Sequence, residues 1–163
     1  MYYIRLFCLL SLILFLSNLK AAEVCFSPNN SCDQKLIDFI SSAKSSLDIA
    51  IYSLTHQDIA DAIIDKAKST SIRIVVDRGE SKSNSSKVQY LKDKGIVVRF
   101  GTQKGIMHDK YTIVDKKSLE TGSFNYSEAA TNSNHENQIY LDDQDVVNQY
   151  SENFEEIWEK AKK

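Results

Sequence analysis

The sequence predicts an α/β fold in which a mixed β-sheet is flanked by helices. Short apolar runs rich in Val and Ile recur along the chain, and segments whose apolar residues repeat at helical spacing lie between them. Such alternation of strands and helices is typical of layered α/β domains. The chain beyond residue 22 is long enough for one domain with a sizeable core, and it contains no repeat or low-complexity segment.

The first half of the chain alternates regularly between the two kinds of element. Thr55 is predicted to cap the second helix, because Asp58 follows three residues later as the acid of a capping box. The predicted elements are strands at residues 24–26, 47–54 and 72–77, a helix at residues 32–45, and a helix that follows Thr55.

The second half begins with a polar loop at residues 78–86 and a short helix that ends at Gly95, a residue favoured at helix C-termini. Residues 101–105 are predicted to be a flexible approach to the next strand. The other predicted strands cover residues 96–100, 119–123 and 138–141. A long helix at residues 142–163 carries one apolar face, which we interpret as core or subunit packing: Val146, Val147, Tyr150, Phe154, Ile157 and Trp158.

Residues 1–22 are predicted to be a secretory signal peptide. Arg5 precedes an apolar run of 11 residues at positions 6–16, and a small-residue segment ends at Ala22. The run is too short for a comfortable membrane span. Lys20 fits poorly before a cleavage site at Ala22, so an uncleaved N-terminal membrane anchor is the alternative. We expect residues 23–163 to form an exported domain, periplasmic or secreted.

Cys25 and Cys32 are the two cysteines that follow the predicted leader. An even pair in an exported protein predicts a disulfide bond, and two free thiols are the alternative. The pair is not a metal site by itself, because two thiols lack the further ligands that zinc requires.

Charge is distributed unevenly along the chain. The formal net charge is −2, yet residues 73–117 hold 11 Lys and Arg against 5 Asp and Glu. This basic third can create a positive face on an acidic body, as expected for a protein that binds polyanions. The alternative is that these lysines are simply solvated.

The basic third contains the most informative motif. His108, Lys110 and Asp115 follow the pattern H-x-K-x-x-x-x-D. In an extended strand, residues i and i+2 share a face, so His108 and Lys110 can converge on one phosphate. A neutral imidazole is a nucleophile, and an adjacent ammonium stabilises the negative charge that develops during attack. Asp115 lies at an odd offset, and we interpret it as a carboxylate that holds the motif in place.

This motif resembles the catalytic signature of the phospholipase D superfamily, and it most resembles the superfamily's small single-motif bacterial secreted endonucleases. Residues 122–130 and 134–137 are similar to the two blocks that follow the motif in that family, and residues 43–53 are similar to its first helix-to-strand passage. The resemblance extends over nearly the whole chain after the leader. It implies a single phospholipase D-like catalytic domain at residues 23–163.

The resemblance also implies roles for individual residues. His108 and Lys110 are the expected nucleophile and transition-state cation, with Asp115 and Glu136 completing the catalytic set. Glu136 is expected to accept from Nδ1 of His108 and to fix the tautomer that presents Nε2 to phosphorus. Ser123 and Asn125 are expected to hold phosphate oxygens or to order their loop, although both residue types are also ordinary turn formers. No metal or other cofactor is expected, because lysines and imidazoles supply the positive charge.

A second H-x-K motif is absent, since neither His56 nor His135 is followed by Lys two residues later. Displacement through a phosphohistidine needs another group to protonate the leaving oxygen and to activate water. A homodimer that brings two copies of His108 to one shared site supplies that group, and the resemblance implies this arrangement. His56 is assigned to a helix start and His135 to the surface.

Two functions are compatible with this chemistry. The first hypothesis is a non-specific endonuclease acting on DNA or RNA, which the basic third favours. The alternative is a phospholipase D that cleaves phospholipid headgroups, with residues 105–107 as an apolar lip beside His108. A catalytically inactive binding module is a third interpretation, and the intact set of site residues argues against it.

Overall fold

The computed structural model describes residues 22–28, 30–101 and 105–162. Nearly all of the predicted signal peptide, and most of the predicted approach at residues 101–105, lie outside these ranges. The strands are β1 (Glu23–Ser27), β2 (Ser46–Ile51), β3 (Ser71–Val76), β4 (Val97–Phe100), β5 (Lys110–Val114), β6 (Ser118–Gly122) and β7 (Glu136–Leu141). The helices are α1 (Cys32–Ser41), α2 (Gln57–Lys66), α3 (Val88–Asp93), α4 (Glu128–Asn132) and α5 (Gln144–Lys160).

The strands form one mixed sheet of seven strands in the order β1-β7-β6-β5-β2-β3-β4. Strands β2, β3 and β4 run parallel to one another, as their helical connections require. Strand β5 pairs antiparallel with β2, and β6, β7 and β1 continue the antiparallel half. The predicted mixed α/β sheet is therefore confirmed.

Helices cover both faces of the sheet. On one face, α1, α2 and α3 bury the side chains of β2 and β3, including Ile49 and Ile74. On the other face, Phe154 and Trp158 of α5 pack against Tyr111 and Leu119. Each face buries its own apolar layer, which is the arrangement expected for a sheet enclosed on both sides. None of the helices within the described ranges is long and apolar enough to cross a membrane.

Several element boundaries differ from the prediction. Strand β2 ends at Ile51, and Leu54 instead forms an isolated bridge with Tyr126. The N-cap of α2 is His56, and no side-chain hydrogen bond caps this helix, so the predicted capping by Thr55 is wrong. The backbone explains the difference, because the N–H groups of Thr55 and His56 both donate to the carbonyl of Tyr126.

Helices α1 and α5 are both shorter than predicted. Helix α1 ends at Ser41, four residues before the predicted limit, because the following residues form the turn into β2. Helix α5 begins at Gln144, and the carboxylate of Asp143 accepts a hydrogen bond from the N–H of Val146 at 3.0 Å. This N-cap fixes the start of the helix.

The predicted disulfide between Cys25 and Cys32 is present in the structure, with 5.7 Å between the two Cα atoms. It joins β1 to the first residue of α1 and so ties the edge strand to the helical layer. Both cysteines are buried.

Candidate active site

The residues of the predicted motif lie at one end of the sheet. Strand β2 ends at Ile51, strand β5 begins beside it at Lys110, and β6 ends close by at Gly122. The antiparallel register of β5 with β2 and β6 thus brings three chain segments together at the same end of the sheet. His108 lies two residues before β5, so it projects beyond the sheet and is exposed.

His108 and Lys110 converge there, as their spacing predicts. The Nζ atom of Lys110 lies 3.3 Å from Nδ1 and 3.5 Å from Nε2 of His108, and it donates to the backbone carbonyl of His108 at 2.8 Å. Lys110 is buried while the imidazole is exposed. An exposed nucleophile beside a fixed, largely buried cation is suited to attack on an anionic phosphodiester.

The surroundings of Lys110 act on its charge in opposite directions. Burial lowers the pKa of the Lys110 ammonium, whereas the carboxylates of Glu136 and Asp109 raise it. These two carboxylates therefore help to retain a positive charge where the protein has removed water.

Ser123 and Glu136 form a second cluster at this end of the sheet. The hydroxyl of Ser123 donates to one Glu136 carboxylate oxygen, and Asn134 donates to the other at 3.0 Å. Ser123 also accepts from the backbone N–H of Asn137 at 3.1 Å. Ser123 therefore orders the junction of β6 and β7 and holds the Glu136 carboxylate.

The expected hydrogen bond from His108 to Glu136 is not formed among the described residues. The polar contacts of the imidazole are with Lys110, and those of the Glu136 carboxylate are with Ser123 and Asn134. Register explains this difference. The last residues of β6 face the first residues of β7, which brings Ser123 close to Glu136. His108 lies two residues before β5, and its ring contacts Tyr52 just beyond the end of β2.

Asn125 lies in the loop that connects β6 to α4. This loop is docked on the segment after β2, since the N–H of Tyr126 donates to the carbonyl of Ser53 at 3.0 Å. The Oδ1 atom of Asn125 is buried and has no hydrogen-bond partner within the part of the chain that is described. The side-chain NH2 group of Asn125 is the part of this amide that can donate to an anionic oxygen.

Asp115 is not brought together with the other motif residues. It follows β5 at the opposite end of the sheet and has a φ of 55°. Its carboxylate accepts from the backbone N–H groups of Lys44, Ser45 and Ser46 at 2.7–3.0 Å. The structure therefore places Asp115 as an anchor between the end of β5 and the start of β2.

Two residues beside His108 were missed by the sequence analysis. The ring of Tyr52 lies 4.6 Å from the His108 ring, centroid to centroid. The buried carboxylate of Asp77 accepts from the N–H of Met107 at 3.0 Å, and also from the N–H groups of Gly79 and Glu80. Both residues directly follow a parallel strand, and polar side chains in that position are a signal for a site in α/β sheets.

The positively charged residues of the basic third lie in two different parts of the structure. Arg73 bonds Asp48 and Glu155, and Arg99 lies 4.0 Å from the ring centroid of Trp158, so both serve the attachment of α5. Arg78 and Lys82 belong to the exposed loop that Asp77 ties to Met107. Only part of the predicted positive face therefore lies near His108.

The remaining candidates have structural positions. The aromatic residues nearest to the motif in the sequence, Tyr111 and Phe124, are buried, so their rings cannot stack on the bases of a nucleic acid. His56 is buried at the start of α2, with Nε2 3.3 Å from a carboxylate oxygen of Glu128. His135 is exposed, as predicted.

Comparison with known proteins agrees with this geometry. The profile of the family described as "Cardiolipin synthase, PLD-like domain" matches residues 36–158. The chain belongs to the phospholipase D-like family. It is 34% identical to a phospholipase D of Rickettsia bellii (strain RML369-C) over 142 residues, which cover 85% of this chain and 71% of the relative.

One further sequence relative and one solved structure are also similar to this phospholipase D-like chain. A mitochondrial cardiolipin hydrolase of Chlamydomonas reinhardtii is 30% identical over 129 residues, which cover 78% of this chain and 58% of that relative. The crystal structure of Nuc, a phospholipase D family member from Salmonella typhimurium, superposes with a TM-score of 0.82 at 30% identity. That match covers 87% of this chain and 96% of Nuc. The chain is thus a phosphodiesterase of the phospholipase D superfamily, a hydrolase of ester bonds.

Proposed function

We propose that this phosphodiesterase is an exported, metal-independent endonuclease that cuts DNA or RNA with little sequence preference through a phosphohistidine intermediate. The observation that carries the proposal is the exposed imidazole of His108 beside the buried ammonium of Lys110, 3.3 Å away. Export rests on the signal peptide predicted for residues 1–22, which precedes the first strand.

The first step is displacement at phosphorus. The lone pair of Nε2 of His108 forms the N–P bond while the P–O bond to the leaving alcohol breaks. The electron pair goes to the leaving oxygen, which takes a proton from an imidazolium. Lys110 stabilises the negative charge on the phosphoryl oxygens of the transition state, and the side-chain NH2 group of Asn125 donates to one of these oxygens.

The second step releases the phosphate. The imidazole that donated its proton now accepts one from water, whose oxygen attacks phosphorus. The N–P bond breaks, and its electron pair returns to His108. One copy of the chain supplies one such imidazole at this end of the sheet, so we propose that His108 of a second copy is the acid and then the base, in a homodimer with a shared site.

The loop that carries Arg78 and Lys82 favours a polynucleotide as the substrate. Both side chains are exposed, and neither has an ion-pair partner among the described residues. The carboxylate of Asp77 holds the N–H of Gly79 and the N–H of Met107, so this loop borders the site. Phosphates that flank the scissile bond can bind such cations without reading the base sequence.

A phospholipase D that releases phospholipid headgroups is the second candidate. One observation favours it: Ile106, two residues before His108, is 61% exposed. The related proteins named phospholipase D and cardiolipin hydrolase point in the same direction. Met107 is buried, so the apolar lip predicted from the sequence is reduced to a single exposed side chain.

The deciding experiment measures cleavage of DNA, RNA, phosphatidylcholine vesicles and cardiolipin vesicles by the purified chain in excess EDTA. We expect soluble nucleic-acid fragments, with a loss of about 10³-fold or more in H108A. H135A is the matched control, because His135 is also an exposed histidine that directly precedes a strand, but it has no assigned role.

The outcomes separate the two candidates. Nucleic-acid cleavage that persists in EDTA and in H135A but is lost in H108A supports the endonuclease. Headgroup release without nucleic-acid cleavage establishes the phospholipase instead. Cleavage that survives in H108A, or that EDTA abolishes, contradicts the mechanism.

A further inference from the structure

Tyr52 contacts both of the groups on which the proposed chemistry depends. It is half-buried just beyond the end of β2, with its ring centroid 4.6 Å from that of His108 and an angle of 56° between the two ring planes. The Nζ atom of Lys110 lies 5.3 Å from the centroid of the same ring. One aromatic ring therefore touches the nucleophile and faces the cation.

The hydroxyl of Tyr52 links its ring to the loop that follows β3. Its hydroxyl donates to a carboxylate oxygen of Glu80 at 3.4 Å, and the N–H of Glu80 donates to the buried carboxylate of Asp77 at 3.0 Å. The charge of Glu80, followed by burial, raises the pKa of the Tyr52 hydroxyl, so it remains a neutral donor. Asp77 also holds the N–H of Met107, so the support of the ring and the backbone before His108 share one anchor.

We propose that Tyr52 is a positioning residue of this active site: its ring restricts the rotation of the His108 imidazole and holds the Lys110 ammonium beside it. The inference rests on the proposed function and adds a residue to it. The negative face of an aromatic ring attracts a cation, and this attraction grows where water is excluded. Burial disfavours the charge on Lys110, so the ring offsets part of that cost.

This role has consequences that a purely structural role would not have. Without the ring, His108 samples more orientations and Lys110 loses a favourable partner. The maximal rate should fall, while substrate binding elsewhere is retained. The pKa of the Lys110 ammonium should also fall, because only Glu136 and Asp109 then support its charge.

The variants are chosen to separate the ring from the hydroxyl. Y52F keeps the ring and removes the contact with Glu80. Y52L and Y52Q both remove the ring. They differ in polarity, so if one variant fails to fold, the other still tests the role of the ring. Y90L is the matched control, because the hydroxyl of Tyr90 donates to Asp61 at 2.8 Å and Lys94 lies 5.9 Å from its ring, on helix α3.

We expect Y52L and Y52Q to lower kcat about tenfold with KM nearly unchanged. Y52F and Y90L should both retain most of the wild-type kcat. A wild-type kcat in both ring-less variants would overturn the proposal, as would a loss in Y52F as large as in Y52L.

A second measurement does not depend on activity. The titration of Lys110 can be followed by NMR through its ¹³Cε signal, assigned by comparison with K110R. The pKa of Lys110 should be lower in Y52L or Y52Q than in the wild type. If the wild-type chain cleaves no substrate, the proposed function fails, yet this titration still decides whether the ring holds the ammonium. An unchanged pKa overturns the inference in either case.

Discussion

Asp115 shows how one residue of the motif supports the site without belonging to it. Its left-handed backbone conformation lets the carboxylate face the start of β2, where the N–H groups of Lys44, Ser45 and Ser46 would otherwise lack acceptors. Burial raises the pKa of Asp115, but the hydrogen bonds from Ser46, Ser45 and Lys44 outweigh it and lower the pKa to about 2. The folded chain therefore prefers the ionised form.

The sign of the pH dependence follows from that preference. Since the pKa of Asp115 is lower in the folded chain than in the unfolded chain, its contribution to stability is complete above about pH 4 and disappears as the pH falls toward about 2. D115N should lower the free energy of unfolding at pH 7 by about 1–2 kcal/mol, a value reduced for partial solvent exposure. The difference from wild type should shrink between about pH 4 and pH 2.

Urea unfolding at several pH values tests this prediction. D93N is the control, because Asp93 is exposed and accepts one side-chain hydrogen bond from Gln89. Folded D115N should also retain most of its activity, since Asp115 lies at the far end of the sheet from His108. Equal stability of D115N and wild type at pH 7 would disprove the anchoring role.

Which side chains meet at the site was predictable only where the distance along the chain was short. His108 and Lys110 are two residues apart, so strand geometry alone brings them together. The partner of Glu136 depends on the pairing of β6 with β7, which the sequence does not reveal, and the expected bond to His108 was wrong. Tyr52 reaches His108 through the pairing of β2 with β5, a long-range contact that no local pattern encodes.

At the scale of an element, Gly122 determines how closely β6 approaches β7. A Cβ atom at this position would lie 2.0 Å from the carbonyl oxygen of Asn137. This carbonyl accepts from the N–H of Ser123, so the same contact places the Ser123 hydroxyl beside Glu136. The glycine is needed for close approach of two backbones rather than for an unusual backbone angle.

G122A should therefore push β6 away from β7 and lower the free energy of unfolding by about 3 kcal/mol. Activity should fall as well, because Ser123 and Glu136 move. G95A is the control: Gly95 has a φ of 83° and open space around its Cβ position, so alanine there adds backbone strain of about 1 kcal/mol without a collision. Thermal unfolding of both variants measures the difference, and a G122A no less stable than G95A would contradict the collision.

The order of helices and strands was predictable because apolar periodicity is a local property. Their ends were less so. Thr55 has the sequence signature of a cap, yet its backbone N–H is bound to Tyr126, and α2 starts after His56. Tertiary contact outweighed local preference at that position. At Asp143, by contrast, the helix start relies on a side-chain cap that the sequence displays.

At the scale of the whole molecule, the uneven charge was visible in the sequence, but its use was not. Arg73 and Arg99 lie in the basic third, yet they point to α5 and contact Phe154 and Trp158. Arg73 sits between the buried Asp48 and Glu155, an arrangement that joins the sheet to the helix. The role of each arginine therefore depends on the face of the strand from which its side chain projects. Alternation along a strand shows which residues share a face, but it does not show which helix covers that face.

The proposed shared site makes the oligomer itself part of the chemistry. A chain with one H-x-K motif contributes one nucleophile, so a dimer of wild type with H108A contains a single functional imidazole and lacks the acid that protonates the leaving group. Heterodimers carrying two different affinity tags can be isolated after co-expression. We expect the heterodimer of wild type and H108A to have activity on the order of 1% of wild type, far below half.

The heterodimer of wild type and H135A is the control and should be fully active. Half activity in the heterodimer of wild type and H108A would mean that each copy works alone, and an active monomer in sedimentation experiments would exclude the shared site. Either result would leave the leaving group to be protonated within one chain. Among the described residues, the other histidines are His56, which is buried at the start of α2, and His135 on the surface. Neither replaces the missing imidazole in this structure, so the mixed dimer is a direct test of whether two copies of His108 act on one phosphate.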